Sequence, residues 1–278
     1  MSELMQKEAA LRAAMSEYRR VVVGFSGGID STVVLDEAIR ALGSENVLAV
    51  VADSVLFTEE ECQKAVRLAG DLGVRVRIIQ LDYLADDEVR RNTPESWYRM
   101  KRIFYRALGE TAADFGADAM LDGMIMDDNA DFRPGLRARD EAHAVSVLQV
   151  AGLFKTDVRA LAQERGLQNW NKVASCSVSS RFPYYTELTE EAINRVKSAE
   201  SFLRGLGFAT VRVRVHGDVA RIEVPEDRFS ELLDRREQID ARLRELGYGF
   251  VALDLAGFES GRMNAGLSAA ERRQVLLG

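Results

Sequence analysis

The chain has 278 residues, 37 basic and 44 acidic side chains, a net charge of -7 and two cysteines. That length suits one large domain or two ordinary ones of about 150 residues each. Two cysteines exclude a disulfide framework, a CxxC-type zinc site and three-cysteine ligation of an iron–sulfur cluster, and the acidic balance argues against a general nucleic-acid binder.

The opening MSELMQKEAALRAA has no apolar core before a cleavage site, and no apolar run approaches the ~18 residues of a membrane span. A reducing cytoplasm is therefore the expected compartment. Apolar β-type runs follow at Val21 to Phe25, Val47 to Val51, Val74 to Leu81 and Ala119 to Leu121. All but the third, which carries Arg75 and Arg77, suit strands covered on both faces. Amphipathic stretches between them (Val33, Val34, Ala38, Leu42; then Ala65, Val66, Ala69, Leu72) predict a strand–helix alternation. The fold class is an α/β, doubly wound parallel sheet, whose ligands sit beyond the carboxyl ends of the strands. Residues 82–118 form a longer insertion with a helix starting near Pro94, capped by Thr93. Trp97, Met100, Phe104, Leu108 and Ala112 make its apolar stripe.

The segment ASCSVSSRFPYY, residues 174–185, breaks all periodicity, so the first domain is placed at 1–186 and a small C-terminal α+β domain at 187–278. The second domain begins with a helix from Thr189 to Leu206. Alternating strands follow around His216-Gly217-Asp218, then a helix over 226–246 and a strand from Phe250 to Leu253.

The sharpest motif is Ser26-Gly27-Gly28-Ile29-Asp30-Ser31-Thr32, which leaves the first strand at Gly24-Phe25 and opens a helix. Glycines let backbone N–H groups approach phosphate oxygens, hydroxyls add donors, and the helix N-terminus favours an anion. Asp30 would repel phosphate unless a cation intervenes, so it reads as a Mg²⁺ or water-mediated contact. Cys62 shares a helical face with Val66 and Ala69 and reads as a small core residue. Cys176 stands among small and polar residues, followed by Arg181, which would favour a thiolate. On spacing alone it is either a reactive thiol or a free cysteine in an ordinary loop. A two-residue turn at Gly217-Asp218 puts Arg212 opposite Glu223 and Arg214 opposite Arg221, with Val211, Val213 and Val215 on the core side. That arginine face is either an anion site or a solvated strand face with a surface pair. Lys101 either snorkels beside the apolar stripe or neutralises an adenylate phosphate.

The SGGIDS motif resembles SGGxDS, the signature of the PP-loop ATP pyrophosphatase superfamily. Members cleave ATP between its α- and β-phosphates and adenylate an oxygen of the substrate. That resemblance implies that Asp53-Ser54 and Asp122-Gly123-Met124 flank the adenosine. The segment from Asn169 to Tyr184, with Phe154 to Arg159, Asp131 to Gly135 and Gly261 to Asn264, is similar to LarE-type sulfurtransferases, over nearly the whole chain. This resemblance implies ATP, Mg²⁺ and pyridinium-3,5-biscarboxylic acid mononucleotide as substrate, a precursor of the nickel-pincer nucleotide cofactor of lactate racemase. It implies that Cys176 gives up its sulfur and becomes dehydroalanine, with no cluster. It places Trp97, Glu200, Arg212 and Arg214 at the substrate phosphate; Lys101, Arg133, Ser180, Arg181 and Glu223 are further candidates for binding substrate. Glu231 stands where an aspartate is expected. It also implies a hexamer, with no nucleic-acid or membrane partner. The alternatives are another PP-loop adenylating enzyme (a tRNA thiouridylase, or an ATP-dependent amidotransferase or synthetase) and a non-catalytic nucleotide-sensing module.

Overall fold

The computed structural model describes residues 2–129, 134–171, 176–259, 267–268 and 271. Arg133, Asp131-Phe132, Lys172 to Ser175 and Gly261 to Asn264 lie outside the described residues. The chain divides into two compact units, Met1–Asp82 with Trp97–Ser175, and Tyr83–Ser96 with Cys176–Leu277. The break therefore falls before Cys176 rather than after residue 186, and the first part of the insertion belongs with the C-terminal residues.

In the first unit, β1 (Val21–Gly24), β2 (Val47–Asp53), β3 (Arg75–Gln80) and β4 (Ala119–Leu121) form a parallel sheet in the order β3-β2-β1-β4. Successive side chains of a strand point to opposite faces. Val21 and Val23 accordingly join one core with α1 (Glu3–Met15), α2 (Ile29–Leu42), α3 (Glu59–Asp71), and with Val147, Leu148, Val158, Leu161 and Ala162. Val22, with Leu48 and Val50, joins the opposite core with α5 (Ser96–Phe115), through Tyr98, Tyr105, Leu108 and Ala112. Helices on both faces make the sheet doubly wound, as expected. The short α4 (Asp87–Arg90) belongs to the other unit; α6 (Gly135–Glu141), α7 (Val147–Val150) and α8 (Lys155–Glu164) complete this one. A bridge from Leu121 to Val145 extends the sheet beyond β4. β3 is an edge strand with Ile78 half exposed. α5 starts at Ser96, and Thr93 does not cap it with its side chain: its hydroxyl donates to Glu88 at 2.7 Å.

The second unit has α9 (Glu190–Gly205), capped by Thr189. β5 (Arg212–His216) pairs antiparallel with β6 (Val219–Glu223), and β6 pairs parallel with β7 (Phe250–Leu253). The hairpin register is the one the two-residue turn requires, Arg212 opposite Glu223 and Arg214 opposite Arg221. Val211, Val213 and Val215 are buried. The helix expected over 226–246 is interrupted: α10 (Phe229–Asp234) and α11 (Arg236–Glu245) are separated at Arg235, where φ is -101° and ψ 11°. Among the described residues no helix is long and apolar enough to cross a membrane.

Candidate functional site

The expected site residues fall into two sets, one in each unit. In the first unit, Gly27 turns the chain with φ +66°, a conformation that glycine takes without strain, and Gly28 caps α2 with its carbonyl. That carbonyl accepts from Thr32 N at 3.0 Å, Ser31 Oγ at 3.1 Å and Thr32 Oγ1 at 2.8 Å. The Ser31 and Thr32 hydroxyls, expected to face a phosphate, are thus buried and turned back onto the loop, while Ser26 is exposed. Gly24 serves packing, since a Cβ there would meet the Phe104 ring at 2.9 Å, and Phe25 is buried beside it. The first N–H groups of α2 have no partner within the helix, which leaves a donor set facing the loop.

Asp30 meets Lys155, at the start of α8, with both carboxylate oxygens 2.7 Å from Nζ. Burial raises the Asp30 carboxyl above its ordinary range, and the Lys155 ammonium pulls only part of that back. Asn169 donates to Gly27 O at 3.1 Å and to Thr32 Oγ1 at 2.9 Å, tying the loop to the chain after α8. Neither Lys155 nor Asn169 was singled out by sequence reasoning. A cation in the first turn of a helix runs against the helix dipole, and that is the signal that marks Lys155.

At the ends of the neighbouring strands, Asp53 accepts from Gln80 at 2.8 Å, and the buried Ser54 caps its own turn. Asp122 is buried and receives Tyr105 Oη, Ser146 Oγ at 2.6 Å and Met124 N at 3.1 Å. This fixes the turn at Gly123-Met124 where the strand order reverses between β1 and β4, the usual place for a ligand in such sheets. Gly123 passes so close to α2 that a Cβ on it would lie 2.7 Å from Ser31 N. Gly123→Ala should therefore push the turn off the phosphate loop. Overpacking of about 1–3 kcal/mol corresponds to roughly tenfold or weaker ATP binding, measurable by calorimetric titration; unchanged affinity would show that the turn yields freely.

Trp97 is half-buried at the start of α5, and Lys101 lies 5.5 Å from the Tyr105 ring centroid with its stem against Gly135. Its stem is packed and its ammonium lies over the Phe104 and Tyr105 rings, a cation–π contact. Arg133 lies outside the described residues.

In the second unit, Cys176 is an exposed free thiol, and Cys62, in the first, is partly buried with its thiol pushed up by burial. Arg181, expected beside the thiol, is buried and bidentate on Glu200, Nε to Oε1 at 2.8 Å and Nη2 to Oε2 at 3.1 Å; it also donates to the Cys176 and Ser177 carbonyls. Glu200 further accepts from Val213 N at 3.1 Å and Arg204 at 3.3 Å. Burial drives the Glu200 carboxyl up, but Arg181, Arg212 and the Val213 amide together pull it below its ordinary range. Glu223 is fully buried and holds Arg214 at 2.9 Å and Arg221 at 3.4 Å, with Arg221 also on Asp254. The arginine face is therefore neither uncompensated nor a surface pair. Glu200 and Glu223, expected to touch substrate, are the buried acceptors that orient the guanidiniums. Glu231 stands on α10, between Arg228 at 2.6 Å and Arg235 at 3.3 Å.

Arg212 is the guanidinium whose charge is coupled to Cys176. Burial first, then Arg181, hold it below its ordinary range, while Glu200 and the cysteine act the other way. Arg214 donates to Ser180 O at 2.6 Å. A groove of about 280 Å³ opens here, bounded by Ser180 to Tyr185 on one side and by Arg214, His216 and Arg221 on the other. Burial and the two arginines lower the His216 pKa, so its neutral Nε2 can accept from Arg221 Nε at 3.2 Å. The groove thus presents guanidinium N–H groups, from Arg181, Arg214 and Arg221, that buried carboxylates hold in place, an arrangement suited to an anion.

The NAD synthase family profile matches residues 4–98. Over about half of each chain, 158 residues, the protein is 33% identical to an NH(3)-dependent NAD(+) synthetase of Hyperthermus butylicus. Over 268 residues, 94% of this chain and 98% of the relative, it is 35% identical to an uncharacterized protein of Synechocystis sp.. Over 271 residues, 98% of both chains, it is 57% identical to the pyridinium-3,5-bisthiocarboxylic acid mononucleotide synthase of Lactiplantibacillus plantarum. The chain belongs to the LarE family of pyridinium-3,5-bisthiocarboxylic acid mononucleotide synthases. The LarE likeness takes in the phosphate loop and the arginine groove alike, whereas the NAD synthetase likeness stops at about half the chain.

Proposed function

We propose that the protein is an ATP-dependent sacrificial sulfurtransferase that converts a carboxylate of pyridinium-3,5-biscarboxylic acid mononucleotide to a thiocarboxylate, on the way to a nickel-pincer nucleotide cofactor. The observation that carries this reading is full-length likeness to a synthase of the bisthiocarboxylic acid, in a chain whose exposed cysteine stands beside a basic groove.

The chemistry runs in three steps. The substrate carboxylate attacks the α-phosphate of ATP, and pyrophosphate leaves. Oxygen is then attached to AMP, a far better leaving group than oxide. The Cys176 thiolate attacks the acyl carbon and AMP departs, giving a thioester. A base removes the Cys176 Cα proton, the Cβ–S bond breaks with its electrons on sulfur, and the thiocarboxylate leaves dehydroalanine behind. The phosphate loop, Gly123-Met124 and Asp53-Ser54 are assigned to the nucleotide. Ser180, Arg181, Arg212 and Arg214 are assigned to the mononucleotide phosphate, and Trp97 to the same substrate. Mg²⁺ arrives with nucleotide phosphates and needs only one or two carboxylates. Asp30 suits that role provided Lys155 exchanges from it, and the ion would neutralise phosphate charge. A hexameric, cytoplasmic enzyme belongs to the same proposal.

The NAD synthetase likeness favours a second reading, in which ammonia attacks the adenylate and Cys176 is a bystander. Intact mass after incubation with ATP, Mg²⁺ and the pyridinium substrate separates the two. Sacrifice of the thiol removes H₂S, about 34 Da, from the Cys176 peptide. Pyrophosphate release with unchanged protein mass would overturn the sulfurtransferase in favour of the synthetase.

A further inference from the structure

One wall of the arginine groove, Phe182 to Tyr185, belongs to no helix or strand: it lies between the turn ending at Arg181 and the start of α9. Besides two local turn bonds, its backbone bonds go to residues 90–92, far away in sequence. Asn92 Nδ2 donates to Phe182 O at 3.2 Å and Pro183 O at 3.0 Å, and Asn92 O accepts from Tyr185 N at 3.0 Å. Arg90 O accepts from Leu188 N at 2.7 Å. Asn92 is 0% exposed and sits at φ 50°, in the left-handed region that asparagine tolerates better than most residues. Carbonyl oxygens only accept, so the group facing them must be the amide NH₂. Meanwhile Asn92 Oδ1 is buried with no hydrogen-bond partner among the described residues. An orphaned buried acceptor is unfavourable, so the side chain is held by what its NH₂ does for the wall rather than by its own satisfaction.

We infer that Asn92 is a positioning residue: it holds the 182–185 wall, and through it the shape of the groove that takes the pyridinium mononucleotide. The second half of this inference rests on the proposed function; the first does not.

Two variants test it. Asn92→Gly keeps the positive φ and removes both donors. Asn92→Asp keeps the shape but turns a carboxylate onto two carbonyl oxygens. Peptide-resolved hydrogen exchange of the protein without ligand should show residues 182–188 exchanging faster in both variants, with the phosphate-loop peptide unchanged. Two lost buried hydrogen bonds correspond to about a tenfold rise in KM for the mononucleotide, with KM for ATP and kcat little changed. Unchanged exchange at 182–188 would overturn the clamp. Faster exchange with an unmoved mononucleotide KM, or with both KM values rising together, would reduce Asn92 to a structural residue. A parent protein that fails to bind the mononucleotide would count against the proposed function alone, and the exchange measurement would still decide the clamp.

Discussion

Cys176→Ala should release pyrophosphate when given ATP and the pyridinium substrate, yet yield no thiocarboxylate at all. The substitution removes the sulfur atom itself, so the loss is complete rather than a fold-change. Adenylation requires only the substrate carboxylate and the nucleotide site, which lies in the other unit, so the first half of the reaction should persist. Water then hydrolyses the acyl-adenylate, and AMP appears without a change in protein mass. Chromatography of the nucleotide products with mass analysis of product and enzyme reads all of these at once. Any thiocarboxylate formed by the variant would mean that Cys176 is not the sulfur source. Absence of pyrophosphate would mean that the thiol is needed before adenylation, and that order of steps would then be wrong. The wild-type protein should stop after one equivalent of sulfur per chain, because Cys62 is partly buried and its thiol is pushed up.

Glu200→Ala should be the most damaging substitution for the second unit's stability. Glu200 is almost wholly buried and accepts from Arg181, Arg204 and the Val213 amide. Breaking a buried pair by deleting one partner leaves the other charge stranded and costs about 3–5 kcal/mol. Both tryptophans, Trp97 and Trp170, lie in the first unit, so their fluorescence should follow urea unfolding of that unit while circular dichroism reports the chain as a whole. The variant should show a new early transition by circular dichroism that fluorescence barely registers. Coincident, unshifted transitions would show that Arg181 finds another acceptor. The same pair sets an acid limit. The Glu200 carboxyl is held below its ordinary range in the folded protein, so its contribution is complete above that range. It falls away as pH drops below about 4.5 through the lowered value, when Glu200 protonates and Arg181 loses its partner. Glu200→Gln should flatten that part of the acid-unfolding curve.

Much of the first unit was legible because its signals are local. β1 and β2 are unbroken apolar runs, and the glycines that follow β1 have one conformational use. The hairpin register was legible for the same reason: a two-residue turn and a strict alternation leave a single pairing that keeps Val211, Val213 and Val215 inside. What escaped is held by pairs distant in sequence. Lys155 meets Asp30 across 125 positions, and Asn92 meets the 182–185 wall across about 90, with no periodicity to announce either. Charge pattern also failed to say what a carboxylate faces. Glu223 stands on the strand face that carries the arginines, as expected, and Glu200 reaches them from α9; both are buried as acceptors for guanidiniums. Residues 83–96 group with the C-terminal unit instead, through backbone bonds at Arg90 and Asn92 and through their side chains, partners about 90 or more positions away that no local pattern announces.

The outer strand β3 bears on how such molecules meet one another. Its open side would offer bare N–H and C=O groups to a strand from another chain, the route by which sheets grow into aggregates. Arg75 stacks over Phe115 and reaches Glu45 O, and Arg77 pairs with Asp114, so two guanidiniums stand at the beginning of that edge. An incoming strand would have to strip both side chains of their partners before it could pair. Two engaged cations at the start of β3 thus work against extension of this sheet by a strand from another copy.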